Sequence, residues 1–290
     1  MKWFVLIFLS VSYISVYSVP GDTIRSFTLD GQPKYGVSGL EYDPDDGNIW
    51  AVGHNGYRQN LFCKFKNDDS HRIMQDWQFL ESRYISDVLD IAYPFWYEGQ
   101  DAIAVLEDGY IITNSNSNNP NPMPVKMFNK NNGEYLGVLN EDPFDGGFAF
   151  GLTVNHDKNN LYVCGCDIYN WYIEKWTGNT WVKYANCDRE AMGAAYAWGR
   201  LFVIHDIPVL SIWVYRESDG ELLDKIPLNN WYGQYILGLS RGRNNIVGNH
   251  ESLYTTCSNY SEWVIREIEV GDYNTDIETT SVGNIKALFH

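Results

Sequence analysis

The chain has 290 residues, with 37 acidic against 21 basic side chains and a formal charge of −16. A surface of that sign repels phosphate backbones, which excludes nucleic acid as a partner and leaves small molecules, glycans, proteins and cations open. After residue 18 no stretch keeps a 3.6-residue apolar period, which excludes a helical fold.

The first element is "MKWFVLIFLSVSYISVYS", one Lys ahead of an apolar run that softens into Ser, Val and Tyr. It reads as a secretory signal peptide over residues 1–18. The rest, residues 19–290, is then a single exported domain, secreted to an extracellular or periplasmic space. No later segment is apolar enough to cross a bilayer, so no transmembrane segment remains after cleavage.

From Ser38 the chain begins to repeat. "SGLEYDPDDGNIWAVGHNG" and, from Phe150, "FGLTVNHDKNNLYVCGCDI" share Gly-Leu, an alternating strand, a turn of Asp, Asn or Gly, and a second strand ending in polar residues. "MGAAYAWGRLFVIHD" from Met192 and "LGLSRGRNNIVGNHE" from Leu237 are shorter versions. Each is followed by a second hairpin, as in "LFCKFKNDDSHRIMQDWQF", "YIEKWTGNTWVKYANC" and "SIWVYRESDGELLDKIPL"; "VKMFNKNNGEYLGVLN" belongs to the same class. Two hairpins make a four-stranded antiparallel unit recurring about every 42 to 63 residues, the period of β-propeller blades. The all-β architecture expected is thus a propeller of five such blades, with six as the alternative.

The second unit is irregular, and its innermost strand lies at either Val88 to Tyr93 or Ala102 to Glu107. The Asn/Pro tract after Thr113 forms a polar loop. Closure comes from the C-terminal "EWVIREIEV" completed by the N-terminal "TIRSFTLDG".

"GLEYDPDDGNIWAVG", "GLTVNHDKNNLYVCG" and "VYRESDGELLDKIPL" resemble the secreted propellers of the YVTN, NHL and gluconolactonase-like kinds. That resemblance spans nearly the whole chain after the signal and implies architecture more than chemistry. "FAFGL", Phe148 to Leu152, is similar to a strand of the propeller glutaminyl cyclotransferases. Where that family continues with a Glu, this chain has "LYVCGCD".

In a propeller the ends of the second strands collect around one channel mouth. Here those ends supply His54 and Asn55, Asn114, Cys166 and Asp167, His205 and Asp206, and Asn249, His250 and Glu251. His54, His205 and His250 are candidate ligands for a divalent cation, since imidazole suits transition metals and the neighbouring carboxylates suit calcium. The leading function is binding of a small molecule, glycan or protein at this mouth. A metal-dependent hydrolase or lyase of the gluconolactonase-like type is the alternative, with Asp206 or Glu251 as base. A structural surface scaffold is the third reading, because Asn, Asp and His also favour strand ends for local reasons.

Other features are weaker. "DPDDGN" from Asp43 lacks the spacing of an EF-hand loop and reads as a hairpin turn. Cys63, Cys164, Cys166, Cys187 and Cys257 leave an odd thiol; Cys164 and Cys166 share a strand face, which suits a thiolate site or two separate bridges. Trp50, Trp176, Trp181 and Trp213 alternate as core residues do, whereas Phe95, Trp96, Tyr97, Trp231 and Tyr232 fall in loops as candidate platforms. Asn259 opens an N-Y-S sequon.

Overall fold

The computed structural model describes residues 19–29, 36–54, 60–76, 102–106, 109–113, 125–132, 134–139, 144, 148–167, 169–187, 190–205, 209–228, 235–244, 250–258 and 263–274. In chain order the strands are β1 (Thr23–Phe27), β2 (Gly36–Tyr42), β3 (Ile49–His54), β4 (Asn60–Phe65) and β5 (Ile73–Asp76). Then come β6 (Ala102–Leu106), β7 (Gly109–Thr113), β8 (Lys126–Phe128), β9 (Tyr135–Val138), β10 (Phe148–Asn155), β11 (Asn160–Cys166), β12 (Trp171–Trp176) and β13 (Trp181–Cys187). The remainder are β14 (Ala191–Ala197), β15 (Arg200–His205), β16 (Ser211–Arg216), β17 (Leu222–Pro227), β18 (Tyr235–Asn244), β19 (His250–Ser258) and β20 (Trp263–Ile268), before a 3-10 helix at Gly271–Asn274.

These strands form five antiparallel four-stranded sheets among the described residues: β2-β3-β4-β5, β6-β7-β8-β9, β10-β11-β12-β13, β14-β15-β16-β17 and β18-β19-β20-β1. The first strand of each sheet touches the first strand of the next, from β2 through β6, β10, β14 and β18 and back to β2. A cycle of inner strands with sheets radiating from it is an all-β propeller of four-stranded antiparallel blades.

Turn chemistry matches the backbone. In the β14–β15 hairpin Ala197 pairs with Arg200, so Trp198 and Gly199 are the two loop residues, at φ 49° and 71°. A two-residue loop with both φ values positive has the twist of the flanking strands, and glycine takes the second position without strain.

The Gly-Leu signature of the repeats has a definite cause. Four of the five inner strands break register at its glycine or just before it: Val37/Gly39, Ala149/Gly151, Ala191/Gly193 and Ile236/Leu239. There the inner strands approach so closely that no side chain fits. A Cβ on Gly193 would stand 2.0 Å from the Leu237 carbonyl oxygen, and one on Gly238 would stand 2.6 Å from that of Ser38. The bulge frees backbone groups from the ladder, and threonine recaptures them. Gly238 N–H donates to Thr256 Oγ1 at 2.8 Å, and Thr255 Oγ1 donates to the Gly238 carbonyl at 2.7 Å.

Two expectations from the sequence bear on these sheets. The described second sheet begins at Ala102–Leu106, while residues 88–93 lie outside the described residues. β1 pairs with β20, Arg25 opposite Glu267 and Phe27 opposite Ile265, so both chain ends share one sheet as expected.

One expectation fails. His250 was read as the end of a second strand, but Asn244 pairs with His250, so His250 begins β19. The ladder from Leu239 to Asn244 carries β18 on through Arg241, Gly242 and Arg243. His250 and Glu251 therefore stand at the opposite end of the channel from His54, which pairs with the first residue of β2.

Candidate functional site at the hairpin end of the channel

The throat of the ring is narrow. Ser38, Leu40, Ile103, Phe150, Leu152 and Leu239 are among the residues lining a space of about 170 Å³. Ligand pockets usually enclose several hundred Å³, so this space is smaller than a typical ligand pocket.

At the end where the inner strands begin, the described members of the sequence-derived site are His54, Cys166, Asp167 and His205. Asn55, Asn114, Asp206 and Asn249 lie outside the described residues. His54, His250 and Glu251 are placed by their backbone alone, with the last two at the far end. Asp167 closes its own loop: its carboxylate accepts the backbone N–H groups of Tyr169 and Asn170, both at 2.6 Å. Those hydrogen bonds hold its carboxyl below the usual range. His205 is fully buried. Its ring stacks on Trp213 at 4.0 Å, and Nε2 lies 3.5 Å from the Tyr215 hydroxyl.

His54, His205 and His250 are therefore not brought together as metal ligands. Among the described residues no group of three or more His, Cys, Asp or Glu side chains is arranged to hold a metal ion. All five cysteines are buried and none is in a disulfide. The loop aromatics Phe95, Trp96, Tyr97, Trp231 and Tyr232 lie outside the described residues.

The opposite end, at the first hairpin turn of each blade, gathers more chemistry. Glu41, near the end of β2, is buried and reaches toward β10, where Thr153 Oγ1 lies 3.4 Å from both carboxyl oxygens. Burial raises its pKa well above the usual carboxylate value, against the opposing pull of the Val154 backbone and Arg241. Thr153 Oγ1 also accepts the Tyr196 N–H of β14 at 2.8 Å, so one hydroxyl joins three inner strands.

Around this buried acid stand half-buried groups. The Arg241 guanidinium lies over the Tyr42 ring at 4.0 Å, a cation–π contact between neighbouring blades. His156 is pushed down to about 4, by burial first and then by Arg241, so its ring is neutral at neutral pH. Tyr196 is pushed up to about 12 by burial and by the charges of Glu217 and Asp157, so it keeps its proton.

Two clasps between blades flank this end. Asp43, fully buried, accepts Trp50 Nε1 at 3.0 Å and Lys64 Nζ at 2.6 Å, while Lys130 from the next blade lies 3.6 Å away. Glu217 accepts Asn160 Nδ2 at 2.9 Å and the Tyr162 hydroxyl at 2.8 Å, and pairs with Lys158. Burial alone would raise the Glu217 carboxyl, but these donors outweigh it and lower it to about 2.

No protein-family model matches the chain, and no curated protein does. Solved structures do. The glutaminyl cyclase of Myxococcus xanthus is 8% identical with a TM-score of 0.52, over 86% of this chain and 95% of that one. An endo-arabinase from Bacteroides thetaiotaomicron is 10% identical with a TM-score of 0.51, over 88% and 98%. MPT-4, a mannose phosphorylase from Leishmania mexicana, is 9% identical with a TM-score of 0.50, over 88% and 91%. The likeness is one of fold. The chain is a β-propeller. Enzymes and binding proteins are both among the neighbours, so this likeness selects no reaction.

Sequence reasoning missed this end because Glu41, Thr153 and Arg241 sit inside strands, where alternating patterns mark them only as inward or outward. The signal available was the "GLEY", "GLTV" and "GLSR" alignment, which places Glu41, Thr153 and Ser240 at equivalent depth and Arg241 one residue beyond.

Proposed function

We propose that residues 19–290 are an exported five-bladed β-propeller, freed from the signal peptide at residues 1–18, that binds a neutral polyhydroxylated ligand at the hairpin end of its channel. The five sheets are taken as the five blades, and the repeat pattern supports a kinship with the YVTN, NHL and gluconolactonase-like kinds.

One observation carries the reading: a buried carboxyl group, Glu41, lies beneath the half-buried Arg241, Tyr42, His156 and Tyr196. With the Glu41 pKa raised by burial and His156 neutral, this set is weighted toward uncharged donors and acceptors. Arg241 stacked on Tyr42 adds a flat face with fixed hydrogen-bond donors. Such a set suits sugar hydroxyls, and the acidic surface disfavours anions.

A glycan array probed with the wild-type chain tests this. One glycan class is expected to be retained, lost in Arg241→Ala and Tyr196→Phe, and kept in His54→Ala. A blank array, or binding abolished by His54→Ala but not by Arg241→Ala, counts against the hairpin end.

A further inference from the structure

β1 is the outer strand of the sheet that β18 begins, and its inward face meets the β4–β5 turn of the neighbouring blade. In that turn His71 is 5% exposed and holds a left-handed φ of 43°. Its ring lies flat on Phe27 of β1, with centroids 3.5 Å apart and planes within 8°. Phe65 of β4 and Tyr254 of β19 meet it edge-on, each at 6.4 Å.

Neither ring nitrogen makes a hydrogen bond, although the Lys66 backbone approaches the ring. An imidazole stacked on one aromatic ring and edged by two others, with neither nitrogen in a well-formed hydrogen bond, is well packed when neutral and badly placed when charged. The charged neighbours do not change this. From β1, the Arg25 guanidinium lies 5.6 Å from the Phe27 ring, donates to Glu267 of β20 at 2.6 Å and reaches Asp69 at 3.3 Å. From the turn itself, Asp68 is engaged with Ser70 and Lys66, and Asp69 is exposed. Arg72, the next residue, is exposed.

We propose that His71 is an acid-sensitive latch on the seam between β1 and the β4–β5 turn of the neighbouring blade. Protonation ejects its ring from the Phe27 stack and releases β1 from the neighbouring blade. The inference is independent of ligand binding at the channel.

Burial, and secondarily Arg25, pushes His71 from its ordinary 6.5 to about 4, against the pull of Asp68 and Asp69. A base that binds its proton less readily in the closed form destabilises that form as pH falls. The closed seam is intact above 6.5 and weakens progressively down to about 4. Between pH 7 and pH 5 the closing equilibrium falls about 20-fold.

Hydrogen exchange of the full chain, corrected for intrinsic rates, tests this in the wild type and in His71→Phe, which keeps the stack but has no proton to take up. Peptides covering β1 are expected to lose about 20-fold in protection between pH 7 and pH 5 in the wild type, whereas β14 to β16 hold theirs. In His71→Phe the β1 ratio between the two pH values stays near one. Unchanged β1 protection in the wild type, or the same loss in His71→Phe, overturns the latch. So does a His71 ring that titrates near 6.5 by NMR in the folded wild-type chain, a reading that needs no variant.

Discussion

Thr153 on β10 places its hydroxyl 3.4 Å from the carboxyl oxygens of Glu41 on β2, joining two inner strands whose residues lie 112 positions apart. The contact links the candidate site to the stability of the ring. Burial raises the Glu41 pKa, so the unfolded chain releases a proton near 4.5 that the folded chain retains. The stability from this group is full below about 4.5 and is lost as pH rises toward the folded value. Glu41→Gln, neutral at every pH, is expected to raise the thermal midpoint at pH 8 more than at pH 5. Calorimetry at the two pH values checks this; a variant less stable at pH 8 than the wild type contradicts it.

Much of the fold was legible because repeats expose what a single strand does not. "GLEY" and "GLTV" align only if the same strand recurs, and the closure of β20 by β1 followed from counting hairpins. The site was less legible, for physical reasons. His205 at a strand end looks identical in sequence whether its ring faces water or stacks on Trp213, and only the packing of β15 against β16 decides it. Asp167 illustrates the competition between chemistry and turn closure, since the same carboxylate suits both. His250 was misplaced because "RGRNN" has the composition of a turn, while its Arg241, Gly242 and Arg243 continue a ladder.

The glycines of the inner strands give a graded test. Gly193→Ala places a Cβ 2.0 Å from a backbone oxygen of the next blade, and backbone cannot step aside as a side-chain tip does. A loss of about 3 kcal/mol or more is expected. Gly178→Ala, in the β12–β13 turn with nothing within 4 Å of the added Cβ but a φ of 95°, meets only conformational strain, worth about 1 kcal/mol. Urea unfolding of both variants checks the ordering, and equal losses would remove the close-approach account of the Gly-Leu repeat.

Asp43 anchors the clasp between the first two blades. Removing its carboxylate takes from Lys64, whose side chain is 11% exposed, its buried partner, leaving it the more exposed Asp46, and removes an acceptor of the Trp50 N–H. Asp43→Ala is expected to cost about 3–5 kcal/mol, the range for breaking a buried pair from one side. Lys130→Ala should cost less, because Asp43 retains Lys64 and Trp50. Burial raises the Asp43 carboxyl, but Lys64 and Trp50 outweigh it and the net shift is downward. Its stabilisation is therefore present above the ordinary value of 3.8 and disappears as pH falls through the folded one. Denaturation of the two variants at pH 7 and pH 3 checks both statements: the difference between Asp43→Ala and wild type should shrink in acid.

His205 separates a core role from a ligand role at the other mouth. Its ring is fully buried on Trp213, whose opposite attraction is to Lys225, with Nζ 3.5 Å from the indole centroid. Truncation to Ala opens a void between the second and third strands of that blade and is expected to cost about 3 kcal/mol. His205→Phe retains an aromatic partner for Trp213 and should recover most of that loss. Were His205 a ligand at a channel mouth, both variants would bind equally poorly and fold equally well. Chemical unfolding and the glycan array, run together on the two variants, discriminate: the expected result is stability lost in His205→Ala, largely restored in His205→Phe, and glycan retention unchanged in the latter.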